Sequence, residues 1–175
     1  AGTKAAETKQ SGPIRRGARM ASGLWFGGGG GPPSKVIVKH FSDGSVNLNM
    51  GASDIGTGTK TIMAMVVSEE LGVPMEKIQI EHADTGTTQY ATPSGGSKTV
   101  PTESPTVRAA AGEVRRQLFE LASKDLKVNA ADLTLKDGEV ISMQYPSKRI
   151  KIADVSDFKR RGVLLGVGYR GPNPQ

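Results

Sequence analysis

A chain of 175 residues with 36% hydrophobic content is long enough to bury one core. It contains no cysteine, which excludes disulfides, thiolate zinc, protein-ligated iron–sulfur clusters and a cysteine nucleophile. The formal charge of +6 is scattered, its densest group being Lys159-Arg160-Arg161, and aromatic residues make up only 5%, so a nucleic-acid surface is not indicated.

No run reaches the ~18 apolar residues of a membrane span, and no apolar signal region opens the sequence, so the expectation is a cytoplasmic location. Glycine is in excess, with 23 residues against a usual share of ~7%, and where those glycines fall becomes the main question. Residues 1–13 are small and polar and read as a flexible lead-in, with the folded part expected over 14–175. The basic stretch from Arg15 to Ala21, then Leu24-Trp25-Phe26, a run of five glycines and Pro32-Pro33, reads as a loop.

A hairpin follows. Val36 and Val38 alternate with polar neighbours, Asp43-Gly44 turns the chain, and Val46, Leu48 and Met50 alternate again. From Thr59 to Leu71 the period becomes helical, with Gly72 and Pro74 ending it. Ile78 and Ile80 mark a strand that ends at Ala83-Asp84-Thr85-Gly86. A second, longer helix carries Val107, Ala110, Ala111, Val114, Leu118, Leu121 and Ala122 to about Lys124; Ser104-Pro105 is its expected start, although a first turn nearer Ser97 fits too. Another hairpin turns at Asp137-Gly138, and Ile150 and Ile152 suggest a short strand. The order β-β-α-β-α-β-β predicts an α+β, two-layer domain with a mixed sheet and two helices. The abrupt ending in Gly171-Pro-Asn-Pro-Gln175 suggests a fragment of a longer polypeptide.

Two glycine-rich loops precede the two helices. Gly56-Thr57-Gly58-Thr59, followed by Lys60, offers backbone N–H groups, hydroxyls and a helix start, the makings of an anion cradle. It is not a P-loop, because Asp54 and Thr59 stand where G-x-x-x-x-G-K-[ST] requires glycine. Ser94-Gly95-Gly96-Ser97-Lys98 repeats the same logic, and two such loops at successive strand–helix junctions can face one side of the sheet. Gly166-Val-Gly-Tyr-Arg-Gly171 matches G-x-G-x-x-G but lacks the following helix and the βαβ unit, so a dinucleotide fold is rejected. No acid–base pair stands out. Asp84 reads as a strand-end cap, Glu81 as a solvated charge, and His40 and His82 as surface or half-buried strand residues.

Gly51-x-x-Asp54-x-Gly56-Thr-Gly58-Thr-x-Thr61, Glu69-Glu70-Leu71-Gly72-Val73-Pro74, Ala83-Asp84-Thr85 and Pro93-Ser-Gly-Gly-Ser97, in this order and spacing, resemble the molybdenum hydroxylases, the xanthine dehydrogenase/aldehyde oxidoreductase family, in their large molybdopterin-binding subunit. The resemblance spans about residues 14–175. It implies a molybdenum-cofactor-binding fold and a molybdopterin cytosine dinucleotide, with Gly56–Thr59 at the pterin and Ser94–Lys98 at the pyrophosphate and nucleotide. Many members carry glutamine at the position of Thr57; the threonine argues against a strict xanthine oxidase. The resemblance further implies a parent oxidoreductase that hydroxylates aldehydes or N-heterocycles with water as oxygen source. Its partners would be the remainder of the large subunit, iron–sulfur and flavin modules, and a small-molecule substrate. The family's catalytic glutamate lies beyond this chain, so no catalytic or metal-ligating residue is assigned, and the fragment alone is expected to be inactive. A non-catalytic anion- or nucleic-acid-binding module remains the alternative reading.

Overall fold

The computed structural model describes residues 12–13, 20–25, 27 and 33–171. Most of the lead-in over 1–13, the basic stretch and the glycine run therefore lie outside the described residues. Among the described residues, seven strands and three α-helices follow in the order β1 (Ser34–Phe41), β2 (Val46–Met50), α1 (Thr59–Leu71), β3 (Ile78–His82), α2 (Thr99–Leu126), β4 (Leu133–Lys136), β5 (Glu139–Ser142), β6 (Arg149–Lys151), α3 (Ser156–Arg161) and β7 (Val163–Arg170).

The α+β class and the mixed sheet agree with the expectation, but the strands divide into two sheets. One has the order β3-β2-β1-β7, and a smaller antiparallel one the order β4-β5-β6. In the larger sheet β1 pairs antiparallel with β2 and β7, while β2 pairs parallel with β3. A parallel pair needs a crossover, and α1 supplies it. The period of two aims Val36, Val38 and His40 of β1, and Val46, Leu48 and Met50 of β2, at the helices; all six are buried.

Helix α1 has the predicted bounds. Met63, Ala64, Val67 and Leu71 form its buried stripe. Gly72 closes it in the left-handed conformation, its N–H donating to Ser68 O at 2.8 Å. Helix α2 begins at Thr99, five residues before Ser104, so the proline there is internal. Pro105 has no N–H, which leaves the Pro101 carbonyl without its helical partner. Arg170 Nη1, from the end of β7, donates to that oxygen at 2.6 Å. The two helices are bridged by Glu70, a buried carboxylate held by Arg108 Nε at 2.6 Å and Arg115 Nη1 at 2.7 Å.

Within the tail that follows Gly162, Val163–Arg170 is strand β7, and its G-x-G-x-x-G match has a packing cause. Gly166 and Gly168 face α2 so closely that a Cβ would stand 2.1 Å from Ala110 O and 1.9 Å from Thr106 O respectively. Backbone of strand and helix meet there without side chains between them.

His40 is a correction to the sequence reading. It is wholly buried against Phe158, ring centroids 5.3 Å apart, and neither ring nitrogen has a partner. Desolvation outweighs the nearby Asp43 charge and lowers its pKa from 6.5 to about 4. The unfolded chain takes up a proton below 6.5 and the folded chain does not until about 4, so stability falls as pH falls through that window. Chemical denaturation at pH 7.5 and 4.5 should differ by about 2–3 kcal/mol from this group. His40→Leu should remove that part of the difference.

Candidate functional site

Because β2 and β3 are parallel, with Met50 beside His82, both strands deliver their following loops to the same edge of the sheet. Residues 51–58 lead into α1 and residues 83–98 into α2, so the two glycine-rich loops come together as expected. Ser94 Oγ donates to Ser53 O at 3.0 Å and lies 3.3 Å from Ser53 Oγ. The contact extends to backbone against backbone, since a Cβ on Gly51 would stand 1.9 Å from Gln89 O.

Between the loops lies a cleft of about 360 Å³, lined by Ile55, Thr57, Thr59, Ser94, Gly95, Ser97, Thr99, Val100 and Pro101. Five of the nine predicted site residues, Thr57, Thr59, Ser94, Gly95 and Ser97, line it. Gly56, Gly58 and Gly96 shape the loops through positive φ of 93°, 81° and 59°. Lys98 occupies the N-cap position of α2. Ile55, Thr99, Val100 and Pro101 were not singled out from the sequence; a helix start at Thr99 would have found the last three.

The two helix starts differ, and here one expectation is corrected. The N–H groups of the first loop do not await an external anion. Asp54 Oδ1 accepts from Gly56 N–H at 3.0 Å and from Gly58 N–H at 3.2 Å, and Oδ2 accepts from Lys60 N–H at 3.0 Å. The Lys60 N–H foremost, against a partial desolvation, and then the glycine N–H groups hold this carboxyl below the usual carboxylate range. The signal was in the sequence, since an Asp two residues before a glycine commonly closes an Asx turn. Asp54→Asn keeps the shape but loses the charge and one strong acceptor. The Gly58 and Lys60 amides should then exchange hydrogen roughly tenfold faster at neutral pH. Because the folded pKa is depressed, the anchoring is present above the ordinary carboxylate value and is lost as pH falls through the lower one.

Helix α2 has no such occupant. No side chain caps it, and Thr99 and Val100 of its first turn face the cleft. Pro101 has no N–H to leave unsatisfied. A helix of 28 residues thus presents an uncapped positive end to a hydroxyl-lined cleft with no acidic residue among its lining. Such a surface suits an anionic ligand, and the apolar Ile55, Val100 and Pro101 suit a flat ring system beside the anion.

Two carboxylates nearby are structural. Asp84 Oδ1 accepts from Gly86 N–H at 2.8 Å, the expected turn cap. Glu81 is more than a solvated charge, because the Thr87 hydroxyl foremost, and then Asn49 Nδ2 at 3.0 Å, hold it below its ordinary pKa.

Known proteins resemble this chain in sequence and in fold. The family model described as molybdopterin cofactor-binding domain matches residues 1–170. The chain is 32% identical over 136 residues to the carbon monoxide dehydrogenase large chain of Hydrogenophaga pseudoflava, covering 77% of this chain and 16% of that one. It is 30% identical over 121 residues to the nicotine 6-hydroxylase large subunit of Paenarthrobacter nicotinovorans, covering 69% and 15%. Among solved structures, the reconstituted CO dehydrogenase from Oligotropha carboxidovorans superposes with a TM-score of 0.72 at 25% identity, covering 82% of this chain and 18% of that one. The chain thus spans less than a fifth of the length of the relatives it matches. With fold and family model in agreement, the chain belongs to the molybdopterin cofactor-binding domain family, as its resemblance to the molybdenum hydroxylases implied.

Proposed function

We propose that this chain is the cofactor grip of a molybdenum-dependent oxidoreductase, and that the cleft at the start of α2 takes the pyrophosphate of a molybdopterin cytosine dinucleotide. The observation that carries the reading is the uncapped α2 terminus opening on a cleft without acidic lining. Ser94, Gly95, Gly96 and Ser97, with Lys98 behind them, form the phosphate and nucleotide side, joined by the Thr99 and Val100 N–H groups. Gly56, Thr57, Gly58 and Thr59 form the pterin side, where the hydroxyls rather than the Asp54-bound N–H groups do the contacting.

A bound molybdenum cofactor would supply hydroxylation of an aldehyde or N-heterocycle with water as the oxygen source; similarity to a carbon monoxide dehydrogenase and a nicotine 6-hydroxylase supports a small-molecule substrate. This chain's residues bind and orient the cofactor and keep it between two tied loops. Thr57 offers a short hydroxyl where a longer side chain would reach further, which favours a carbonyl or open heterocyclic substrate over a strict xanthine oxidase. The rest of a large subunit, iron–sulfur and flavin modules, and a cytoplasmic setting complete the reading; among the described residues no helix is long and apolar enough to cross a membrane.

Titration of the chain with molybdopterin cytosine dinucleotide should give saturable binding that Ser94→Ala combined with Gly95→Ala weakens. Absence of that binding, together with strongly salt-dependent binding to mixed-sequence DNA, would favour the nucleic-acid alternative instead.

A further inference from the structure

Among the described residues the larger sheet carries helices on one face only, and its other face has two chemistries. On β2 and β3 the outward residues are polar, Asn47, Asn49, Gln79 and Glu81; Gln79 is exposed, while Asn49 is buried and donates to Glu81 and to Thr87 O. On β7 the pattern is inverted. Its inward positions are Leu164 and the two close-packed glycines, and its outward positions are Val163, Leu165, Val167 and Tyr169, which are 39–67% exposed. Strand β1 continues the apolar patch with Ile37 beside Val167 and Phe41 beside Val163. Isolated exposed apolar residues are ordinary, but four in register on an edge strand with apolar neighbours form a contiguous patch.

We infer that the β7–β1 half of this face is an internal docking surface, covered in the complete protein by an apolar segment of the same large polypeptide. This rests on the reading that the chain is one portion of a longer subunit. The argument for that occupant is length. The matched relatives carry more than four-fifths of their polypeptide outside the stretch this chain covers, enough to supply a covering layer. The change from apolar to amide and carboxylate side chains at β2 sets where the cover ends. Lys35 and Lys39, interleaved with Ile37 on β1, favour an edge of the cover that brings acidic groups.

The absence of native cysteine from this stretch makes thiol labelling a direct test. Leu165→Cys, Val167→Cys and Gln79→Cys would each be placed in the 175-residue chain and in the complete large subunit, and maleimide labelling followed by peptide mass mapping. The expected result is at least roughly tenfold slower labelling at 165 and 167 in the complete subunit, with 79 unchanged. Equal rates in both forms would overturn the proposal, as would protection of all three positions alike. Protection already present in the isolated chain and relieved by dilution would also overturn it, because a second copy would then be the occupant. Molybdenum and nucleotide content measured on the same preparations separates this outcome from failure of the cofactor reading, since the surface can be uncovered while the cofactor remains bound.

Discussion

Gly168→Ala is expected to cost at least about 3 kcal/mol of stability, at or above the upper end for overpacked sites. The added methyl carbon would lie 1.9 Å from Thr106 O, 2.9 Å from the Thr106 carbonyl carbon and 3.1 Å from Ala110 N, all backbone atoms of α2. No side-chain rotation can relieve such a contact. Strand and helix must separate, and the separation would reach the Val36 and Val38 row of β1, which packs beside it. It would also loosen Arg170 from Pro101 O, the carbonyl that Pro105 leaves without a partner. For a chain of this size the loss corresponds to a fall in Tm of roughly 6–12 °C, measurable by calorimetry. Gly112→Ala is the matched control. Gly112 sits on α2 with nothing within 4 Å of its added Cβ, so the same change there should stabilise by about 1 kcal/mol through helix propensity. Equal effects at the two positions would refute the close-packing account of β7.

Thr99→Glu should abolish binding of the dinucleotide while leaving the fold intact. A carboxylate at the first position of α2 agrees with the helix dipole, so the variant should melt at or slightly above the parent temperature. The same carboxylate would stand in the cleft that Thr99 lines, at the uncapped end that we propose for the phosphates. Like charges about 4 Å apart at a protein surface repel by about 4 kcal/mol at an effective dielectric of 20, so affinity should fall by at least roughly a hundredfold. Thr99→Ser should bind as the parent does. A Thr99→Glu variant that retains affinity would move the anion away from α2.

How far the sequence reached can be judged element by element. Helix α1 was legible to its ends because Met63, Val67 and Leu71 mark one face and Gly72 and Pro74 give an unambiguous stop. The start of α2 was less so. Ser104-Pro105 reads as a start signal, yet the helix begins at Thr99, close to the alternative first turn nearer Ser97, and Arg170 takes up the Pro101 carbonyl that the internal proline leaves free. Strand β7 was missed because periodicity reads large apolar residues as buried, whereas here glycines face the core and Val163, Leu165 and Val167 face out. His40 was misplaced for a related reason, since a polar ring in an alternating strand signals nothing about how deeply Phe158 covers it. The meeting of the two loops followed from topology and was anticipated. That Asp54 fills the first of them was not, and this division of labour between the helix starts is the main change to the site.

The central claim is therefore that phosphate is taken by the start of α2 and not by the start of α1. Amide-resolved NMR of the chain during addition of cytidine 5′-diphosphate tests it directly. Thr99 and Val100, with Gly95 and Ser97, should show the large, saturable shifts, while Gly56, Gly58 and Lys60, already bonded to Asp54, should move little. Large shifts confined to Gly56, Gly58 and Lys60, with the α2 amides silent, would contradict the account.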